Sequence, residues 1–328
     1  MQQANTNADI AIWRAECMRF SRIKNKPGHR PVASVTDEIR EALKGKEFSS
    51  LEDANATLRA VTSQFNARPM AEFGGLSPEQ VFRLTKPDWL DNSVRLNGKL
   101  PITSVSNALH FHNVRALLTI VNEWGEVKLT QTGAFNRKFV SALMPQLWFE
   151  DFIRKVIDRY QVVNESDVPY LEFYRNFLPE AGLLNVQPKG FQITETGKRL
   201  LADDRADELF TLLFRTMFTT MNIGALDRLP DFNSVQGTLG YSMYRLARMP
   251  EGWLNINEIA CDLILPFVRD EIISSGWPET EFGIIADLRV LKHFVDFGLL
   301  EFGMDKSLYK PDKVRKTALF KEYLTFNL

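Results

Sequence analysis

The chain has 328 residues, of which 45% are apolar and 25% charged, and this balance is typical of a globular protein with two or three domains. Its formal net charge of −1 excludes a protein that attracts nucleic acid through an overall positive charge, so any such contact has to come from local basic patches. The polar first residues and the lack of an apolar run of about 18 residues argue against a signal peptide and a membrane span.

Residues 1–100 are predicted to form an N-terminal helical region with a basic loop. The cations of this loop are Arg22, Lys24, Lys26 and Arg30. Ser50 and Ser77 each stand before an apolar pattern of helical period, with the residue types of an N-terminal cap around them. We therefore expect one helix to begin after Ser50 and another after Ser77.

Residues 104–205 follow the order helix, short strand, helix, inserted helix, third helix and hairpin. The predicted ranges are 106–124, 127–129, 134–144, 147–159, 168–181 and 183–194. The third helix of this first module ends in Gly182-Leu183-Leu184. Residues 206–234 are then predicted to be a connector helix and loop.

Residues 235–328 repeat this order as a second module. The predicted ranges are 235–247, 253–255, 256–268, 284–297 and 299–317, without the inserted helix. Its third helix again ends in a Gly-Leu-Leu, at Gly298. An aromatic tail (Phe320, Tyr323 and Phe326) follows, and we expect it to pack on its own chain; the alternative is an anchor for a partner.

This repeated order is typical of winged-helix modules, in which a three-helix core is followed by a β-hairpin. The predicted fold is mainly α, with two winged-helix-like modules behind the N-terminal helical region. A second internal echo, residues 129–133 against 193–197, is interpreted as punctuation between a strand and a helix, because Thr suits helix starts and Gly permits a tight turn.

Catalytic motifs are not found. The sequence lacks the glycine-rich phosphate loops, the zinc-protease motif and the serine-hydrolase motif. His110 and His112 come closest to a metal motif, but two helical residues this far apart point to opposite sides, so we interpret them as surface or capping histidines. We predict a non-enzymatic protein with no metal and no cofactor. An enzyme whose acids converge from distant parts of the chain stays open as an alternative.

Contact with double-stranded DNA is predicted for the second module and the N-terminal loop. Winged helices bind DNA mainly through the third helix, with added contacts from the wing, and both need Lys or Arg facing phosphates. The third helix of the first module has a net acidic polar face. The predicted DNA-binding residues of the second module are Arg289, Lys292, Lys306, Lys310, Lys313, Arg315 and Lys316.

Two other interpretations stay open. The body at residues 251–287 is strongly acidic, so the basic wing can instead pair with acids of its own chain. The modules can also serve as a scaffold that docks a protein partner or a second copy. No membrane partner is expected. Cys17 and Cys261 lie far apart among apolar neighbours, which is typical of buried thiols in a reducing compartment, so we expect a cytoplasmic protein.

The stretch Lys128–Val140, together with residues 181–184 and 193–197, resembles uncharacterised bacterial winged-helix proteins. Residues 73–80 are similar to a segment in bacterial families related to plasmid ORF-3-like proteins. These resemblances imply the winged-helix fold and carry no settled activity. Residues 66–69 with 74–79 are also similar to the end of a transposase integrase core, but too few residues precede them for that core and its acidic triad.

Overall fold

The computed structural model describes residues 35–149, 151–187, 190–227, 229–230, 232–305 and 310–328. Within these residues the protein is mainly helical, with three small antiparallel sheets of two, three and three strands. The prediction of a mainly α fold is therefore confirmed. None of the described helices has the length and apolar character needed to cross a bilayer.

The N-terminal helices begin where the sequence predicts them. The elements are α1 (Val35–Leu43), α2 (Leu51–Ala67), α3 (Pro78–Thr85), α4 (Trp89–Asn92), β1 (Val94–Leu96) and α5 (Ile102–Val105). The Ser50 hydroxyl accepts a hydrogen bond from the backbone N–H of Asp53 at 3.1 Å, and Ser77 forms a full capping box with Gln80. Both caps satisfy N–H groups that have no partner inside the helix.

The first repeat runs from α6 to β4. Its elements are α6 (Leu109–Trp124), β2 (Val127–Lys128), α7 (Arg137–Leu143), α8 (Asp151–Ile157), α9 (Pro169–Glu180), β3 (Leu184–Gln187) and β4 (Gly190–Ile193). The central strand is β4, so the strand after the first helix pairs with the second arm of the hairpin, and Val127 lies opposite Phe191. α7 begins only after Asn136, whose side chain accepts from the backbone N–H of Phe139.

The segment at residues 194–238, which includes the connector, leads from the first repeat to the second. Its elements are α10 (Glu195–Leu200), α11 (Ala206–Arg215), a π-helical turn (Thr216–Thr220) and α12 (Asn233–Gly237). The predicted connector helix is therefore present, but its last turn is π-helical. A short 3₁₀ turn at Ile223–Leu226 follows it.

The second repeat runs from α13 to β7. Its elements are α13 (Leu239–Arg248), β5 (Leu254–Asn255), α14 (Ile256–Leu263), α15 (Pro266–Ser274), α16 (Phe282–Ala286), a π-helical turn (Asp287–Leu291), α17 (Lys292–Asp296), β6 (Leu300–Asp305) and β7 (Lys310–Lys316). Here β7 is central, between β5 and β6. The prediction of one helix over 256–268 is wrong. Pro266 holds Leu265 in extended conformation and, lacking an N–H, begins a new helix.

The two repeats close in the same way. Gly182 and Gly298 end the third helices with φ of 67° and 70°, a conformation that favours glycine. Thr194 then donates its hydroxyl hydrogen to the carbonyl of Gly182 at 2.8 Å, and Thr317 donates to that of Gly298 at 2.7 Å. Each threonine thus fastens the end of a hairpin to the end of the preceding helix.

The C-terminal tail packs on its own chain, as predicted. It forms α18 (Ala318–Tyr323) and β8 (Leu324–Phe326), and β8 pairs with β1, so that Val94 lies opposite Phe326. The Tyr323 ring is buried, with its centroid 5.0 Å from that of Phe210 and 5.2 Å from that of Phe214. The tail therefore joins the N-terminal region to the connector.

An aromatic cluster packs the connector against the end of the third helix of the second repeat. Phe210, Phe214 and Phe218 of the connector all approach the ring of Phe297, with centroid distances of 5.3 to 5.7 Å. The ring of His110, from the first helix of the first repeat, lies on the same phenylalanine at 5.1 Å. Burial of these large rings supplies much of the apolar area that holds the two repeats together.

Candidate functional site

The third helix of the second repeat is packed on nearly all sides. Of residues 282–296, all of which the structure describes, Ile284 alone is exposed. α14, the connector and α9 surround the remainder. Little of this helix is therefore exposed to the major groove of DNA, and its contact with DNA stays a prediction.

Arg289 is buried inside this packing. Its side chain is 3% exposed, and its Nε and Nη2 donate to the two carboxylate oxygens of Asp227, itself 13% exposed. Nη2 also reaches the carbonyl of Pro230 at 3.0 Å. The predicted contact between Arg289 and a phosphate is therefore wrong for this conformation: the guanidinium neutralises an acid of its own chain.

Lys316 likewise binds to groups of its own chain. Its side chain is 3% exposed, and Nζ donates to the carbonyl of Met249 at 2.8 Å and lies 3.0 Å from a carboxylate oxygen of Glu251. This is the self-pairing that the acidic body of the second module suggests. The predicted DNA contact of Lys316 is corrected for the same reason.

Two predicted cations remain exposed on β7. Lys313 and Arg315 have side chains that are 53% and 44% exposed. Arg315 pairs with the exposed Glu301 at 2.6 Å, and its guanidinium lies 4.4 Å from the ring centre of the exposed Trp253. We call these four residues (Trp253, Glu301, Lys313 and Arg315) the wing surface.

Six other predicted cations lie wholly or partly outside the described residues. Arg22, Lys24, Lys26, Arg30 and Lys306 lie outside the described residues. Lys310 is the first residue of β7, and its side chain is likewise outside the description.

The third helix of the first repeat, α9, has one exposed face and one buried face. The exposed face carries Glu172, Asn176 and Glu180, which confirms its predicted acidic character. The buried face carries Tyr170 and Tyr174, and the Tyr170 hydroxyl accepts a hydrogen bond from Lys292 at 3.2 Å. Both third helices therefore meet across the interface between the repeats.

A pocket of about 530 Å³ lies at this meeting point, and we call it the inter-repeat pocket. Its size falls within the range of about 300–1,000 Å³ that is common for small-ligand sites. Apolar side chains such as Phe173, Met217, Met221 and Leu288 line much of it. Polar groups converge from α6, α9 and α17.

His110 is one of the polar residues that line this pocket. It is buried, its Nδ1 lies 3.0 Å from the Tyr174 hydroxyl, and its Nε2 has no hydrogen-bond partner. Nε2 lies 3.8 Å from a carboxylate oxygen of Asp296, which is too far for a hydrogen bond. Burial, followed by the charges of His293 and Lys292, lowers the pKa of His110 well below 6.5, so the ring is neutral and this contact is not an ion pair.

The Tyr174 hydroxyl is the hydrogen-bond partner of Nδ1 of His110. Burial raises the pKa of Tyr174 well above its usual value of 10, and a hydrogen bond with Asn113 lowers it only in part, so the hydroxyl keeps its proton. A neutral imidazole carries its hydrogen on one of its two ring nitrogens, so Nε2 of His110 is a donor in one tautomer and an acceptor in the other.

The charges around the pocket are paired. Lys292 lies 3.4 Å from a carboxylate oxygen of Asp296, and Arg289 binds Asp227. Glu172 has a weaker neighbour in Arg175 at 3.8 Å. The pocket therefore offers hydrogen-bonding groups whose charges are already compensated.

Both π-helical turns border the pocket. Met217 belongs to the turn at the end of α11, and Leu288 to the turn between α16 and α17. Such turns are rare and are found often at functional sites, because they shift side chains out of the regular helical pattern. Here they place an apolar side chain of each helix against the pocket.

Sequence reasoning assigned Lys292 to DNA and missed this site. His110 is buried, so its interpretation as a surface or capping histidine is wrong; the expected opposite orientation of His112 holds, since that ring stacks on Trp148 at 3.7 Å. Asp296 and Tyr174 do not belong to any recognisable sequence motif.

Cys261 is exposed, which corrects its interpretation as a buried thiol. Among the described residues, no group of three or more His, Cys, Asp or Glu could hold a metal ion.

Comparison with known proteins adds one similarity. A family model described as the Y4jL N-terminal domain matches residues 106–206. No curated protein and no solved structure matches the chain. What the chain resembles is therefore a domain that begins just before α6 and ends at the start of α11.

Proposed function

We propose that this chain is a non-enzymatic binding protein built from two winged-helix modules, residues 104–205 and 235–328, joined by a connector at 206–234. Support comes from the strand order, since in both sheets the strand after the first helix pairs with the second arm of the hairpin. The equivalent hydrogen bonds from Thr194 and Thr317 to the glycines that end the third helices also support it. The first boundaries agree with the extent of the family match.

The proposed partner is double-stranded DNA, contacted by the wing surface and not by helix three. The observation that carries this proposal is the contrast in exposure between Arg315 and Arg289. An exposed ion pair such as Arg315–Glu301 contributes only about 0–1 kcal/mol, so a phosphate can replace Glu301. Separating a buried pair such as Arg289–Asp227 costs about 3–5 kcal/mol. Arg315 is therefore available to a phosphate at a lower cost than Arg289.

Titration of a labelled duplex with the full chain tests this proposal. We expect binding at about 50 mM salt that weakens strongly by about 200 mM, since phosphate contacts release counterions. Lys313→Glu combined with Arg315→Glu should abolish most of it. Lys198→Glu reverses one exposed charge on α10 and is a control away from the wing. Absence of binding to any duplex at the lower salt, or unchanged binding by the double variant, would contradict the proposal.

The N-terminal loop with Arg22, Lys24, Lys26 and Arg30 is proposed as a second DNA contact. Its contribution can be separated from that of the wing by reversing these four charges in the full chain. Each lost phosphate contact should reduce the salt dependence of log K by a slope of about 1. A reducing compartment such as the cytoplasm is part of the proposal, because a free exposed thiol like that of Cys261 suits it.

A protein partner is the second candidate, and the exposed face of α9 favours it. Glu172, Asn176 and Glu180 form an acidic strip that would repel a DNA backbone. Such a strip fits a basic protein surface. If DNA binding fails at low salt, Glu172→Lys combined with Glu180→Lys can be compared with the unaltered chain for self-association by sedimentation and for binding to a basic peptide.

A further inference from the structure

We infer that the inter-repeat pocket binds a small, uncharged, largely apolar molecule that carries a hydroxyl group, such as a substituted phenol. The inference does not rest on the proposed DNA contact. It starts from His110, whose Nε2 is buried in a pocket-lining position without a hydrogen-bond partner. Leaving such a group unpaired costs about 1–3 kcal/mol, so a ligand that pairs it gains affinity.

The geometry around Nε2 selects a hydroxyl. Nε2 of His110 donates in one tautomer and accepts in the other, whereas the carboxylate of Asp296, 3.8 Å away, only accepts. A hydroxyl can accept from an Nε2–H while it donates to Asp296, and it can also donate to a bare Nε2. A carbonyl can only accept, and an ammonium can only donate.

The charges exclude an ionised ligand. Asp296 is compensated by Lys292, and Asp227 by Arg289. An added anion would lie beside three carboxylate-bearing residues of the lining, including Glu172. An added cation would lie beside Lys292. Either charge would lose hydration on entering the pocket and would meet side chains whose charges are already paired, so a neutral molecule is preferred.

The rest of the lining favours an apolar body. Phe173, Met217, Met221 and Leu288 approach the same space, and methionine side chains adapt to irregular shapes and pack well on aromatic rings. A pocket of about 530 Å³ accommodates a single substituted ring with its hydroxyl directed to His110.

Binding can be measured with 4-ethylphenol as the probe and three matched analogues: ethylbenzene without the hydroxyl, 4-ethylbenzoate as the anion and 4-ethylbenzylamine as the cation. Ligand-observed NMR on the full chain should rank 4-ethylphenol at least about tenfold above each analogue. Equal or weaker binding of the phenol, or no binding at all, would overturn the inference.

The position of the hydroxyl can be read directly, because the chain has only 4 histidines. In ¹⁵N-histidine-labelled protein, 4-ethylphenol should shift the Nε2 signal of His110, and ethylbenzene should not. His110→Phe keeps the ring volume and should lower the affinity for 4-ethylphenol about tenfold. His112→Phe makes the same exchange at a histidine outside the lining and should leave that affinity unchanged. A shift absent from His110 would contradict the site even if His110→Phe fails to fold.

Discussion

Arg289 donates hydrogen bonds to both carboxylate oxygens of Asp227, and this pair joins the third helix of the second repeat to the connector loop. Arg289 is buried and Asp227 largely so, and the two side chains neutralise each other inside the fold. Because of this pair, a cation on a helix that was expected to read DNA binds an acid of its own chain instead. It also borders the inter-repeat pocket, because Asp227 is part of the lining.

Arg289→Met should destabilise the protein by about 3–5 kcal/mol, because it leaves the carboxylate of Asp227 buried without its cation. Urea unfolding measures this change. Adding Asp227→Asn should recover part of the loss, since the uncompensated charge is removed. Arg215→Met breaks an exposed pair with Asp91 and serves as the control, with an expected change within about 1 kcal/mol. Equal losses in the two single variants would contradict this view of the pair.

Gly240→Ala should destabilise the protein by about 1–3 kcal/mol, through overpacking. A Cβ at this position of α13 would lie 2.3 Å from the backbone oxygen of Leu84 and 2.9 Å from the ring of Trp89. Gly237, three residues earlier, has open space around it. Gly237→Ala should therefore leave stability unchanged or raise it by up to about 1 kcal/mol, as expected from helix propensity. Thermal unfolding of both variants gives the comparison.

Tyr323→Ala should cost about 3–5 kcal/mol, because it removes a fully buried ring from the contact between the C-terminal tail and α11. Tyr323→Phe keeps the ring and loses only the hydrogen bond to Thr211 at 3.3 Å, so its cost should be about 1 kcal/mol. Denaturant unfolding distinguishes the two. Similar, small effects would mean that the tail is not part of the cooperative fold.

The stability of the protein should fall as the pH drops below about 6.5, in part because of His293. Burial lowers the pKa of this histidine from 6.5 to about 3, and the charges of Lys292 and Arg289 act in the same direction. Between these values the unfolded chain binds a proton that the folded chain does not, so acid favours unfolding. At about pH 5.5 this difference amounts to about 1.4 kcal/mol relative to neutral pH.

His293→Asn tests this contribution. The variant should lose about 1.4 kcal/mol less than the unaltered protein when the pH is lowered from about 7.5 to about 5.5, as measured by urea unfolding at both values. Comparing each protein with itself removes the cost of the substitution at neutral pH. Parallel losses would show that the ring of His293 is not held neutral in the folded protein.

Glu301→Gln should raise DNA affinity by up to about fivefold, because it frees Arg315 from an exposed partner whose attraction is about 0–1 kcal/mol. Glu172→Gln makes the same change of charge on α9, away from the wing surface, and corrects for the lower overall negative charge. The two affinities are measured with one labelled duplex at one salt concentration. A larger gain from Glu172→Gln would place the DNA contact elsewhere.

Local features of this fold could be read from the sequence with good accuracy. The caps at Ser50 and Ser77 and the glycines at 182 and 298 depend on interactions within a few residues, which a sequence displays directly. The break at Pro266 was also readable, since proline disfavours helical backbone at the preceding residue. The π-helical turns were not, because no local residue type demands them.

By itself, the sequence determined the order of helices and hairpins, because hydrophobic period, caps and turns act over short distances. It could not determine which cations reach solvent. Arg289 and Arg315 are both arginines on repeated elements, yet one is buried against an acid 62 residues away and the other lies on an exposed strand. The exposure of a side chain depends on which distant elements pack over it. For the same reason, the sequence did not reveal that His110, Tyr174 and Asp296 lie close together at one pocket; tertiary packing decides this.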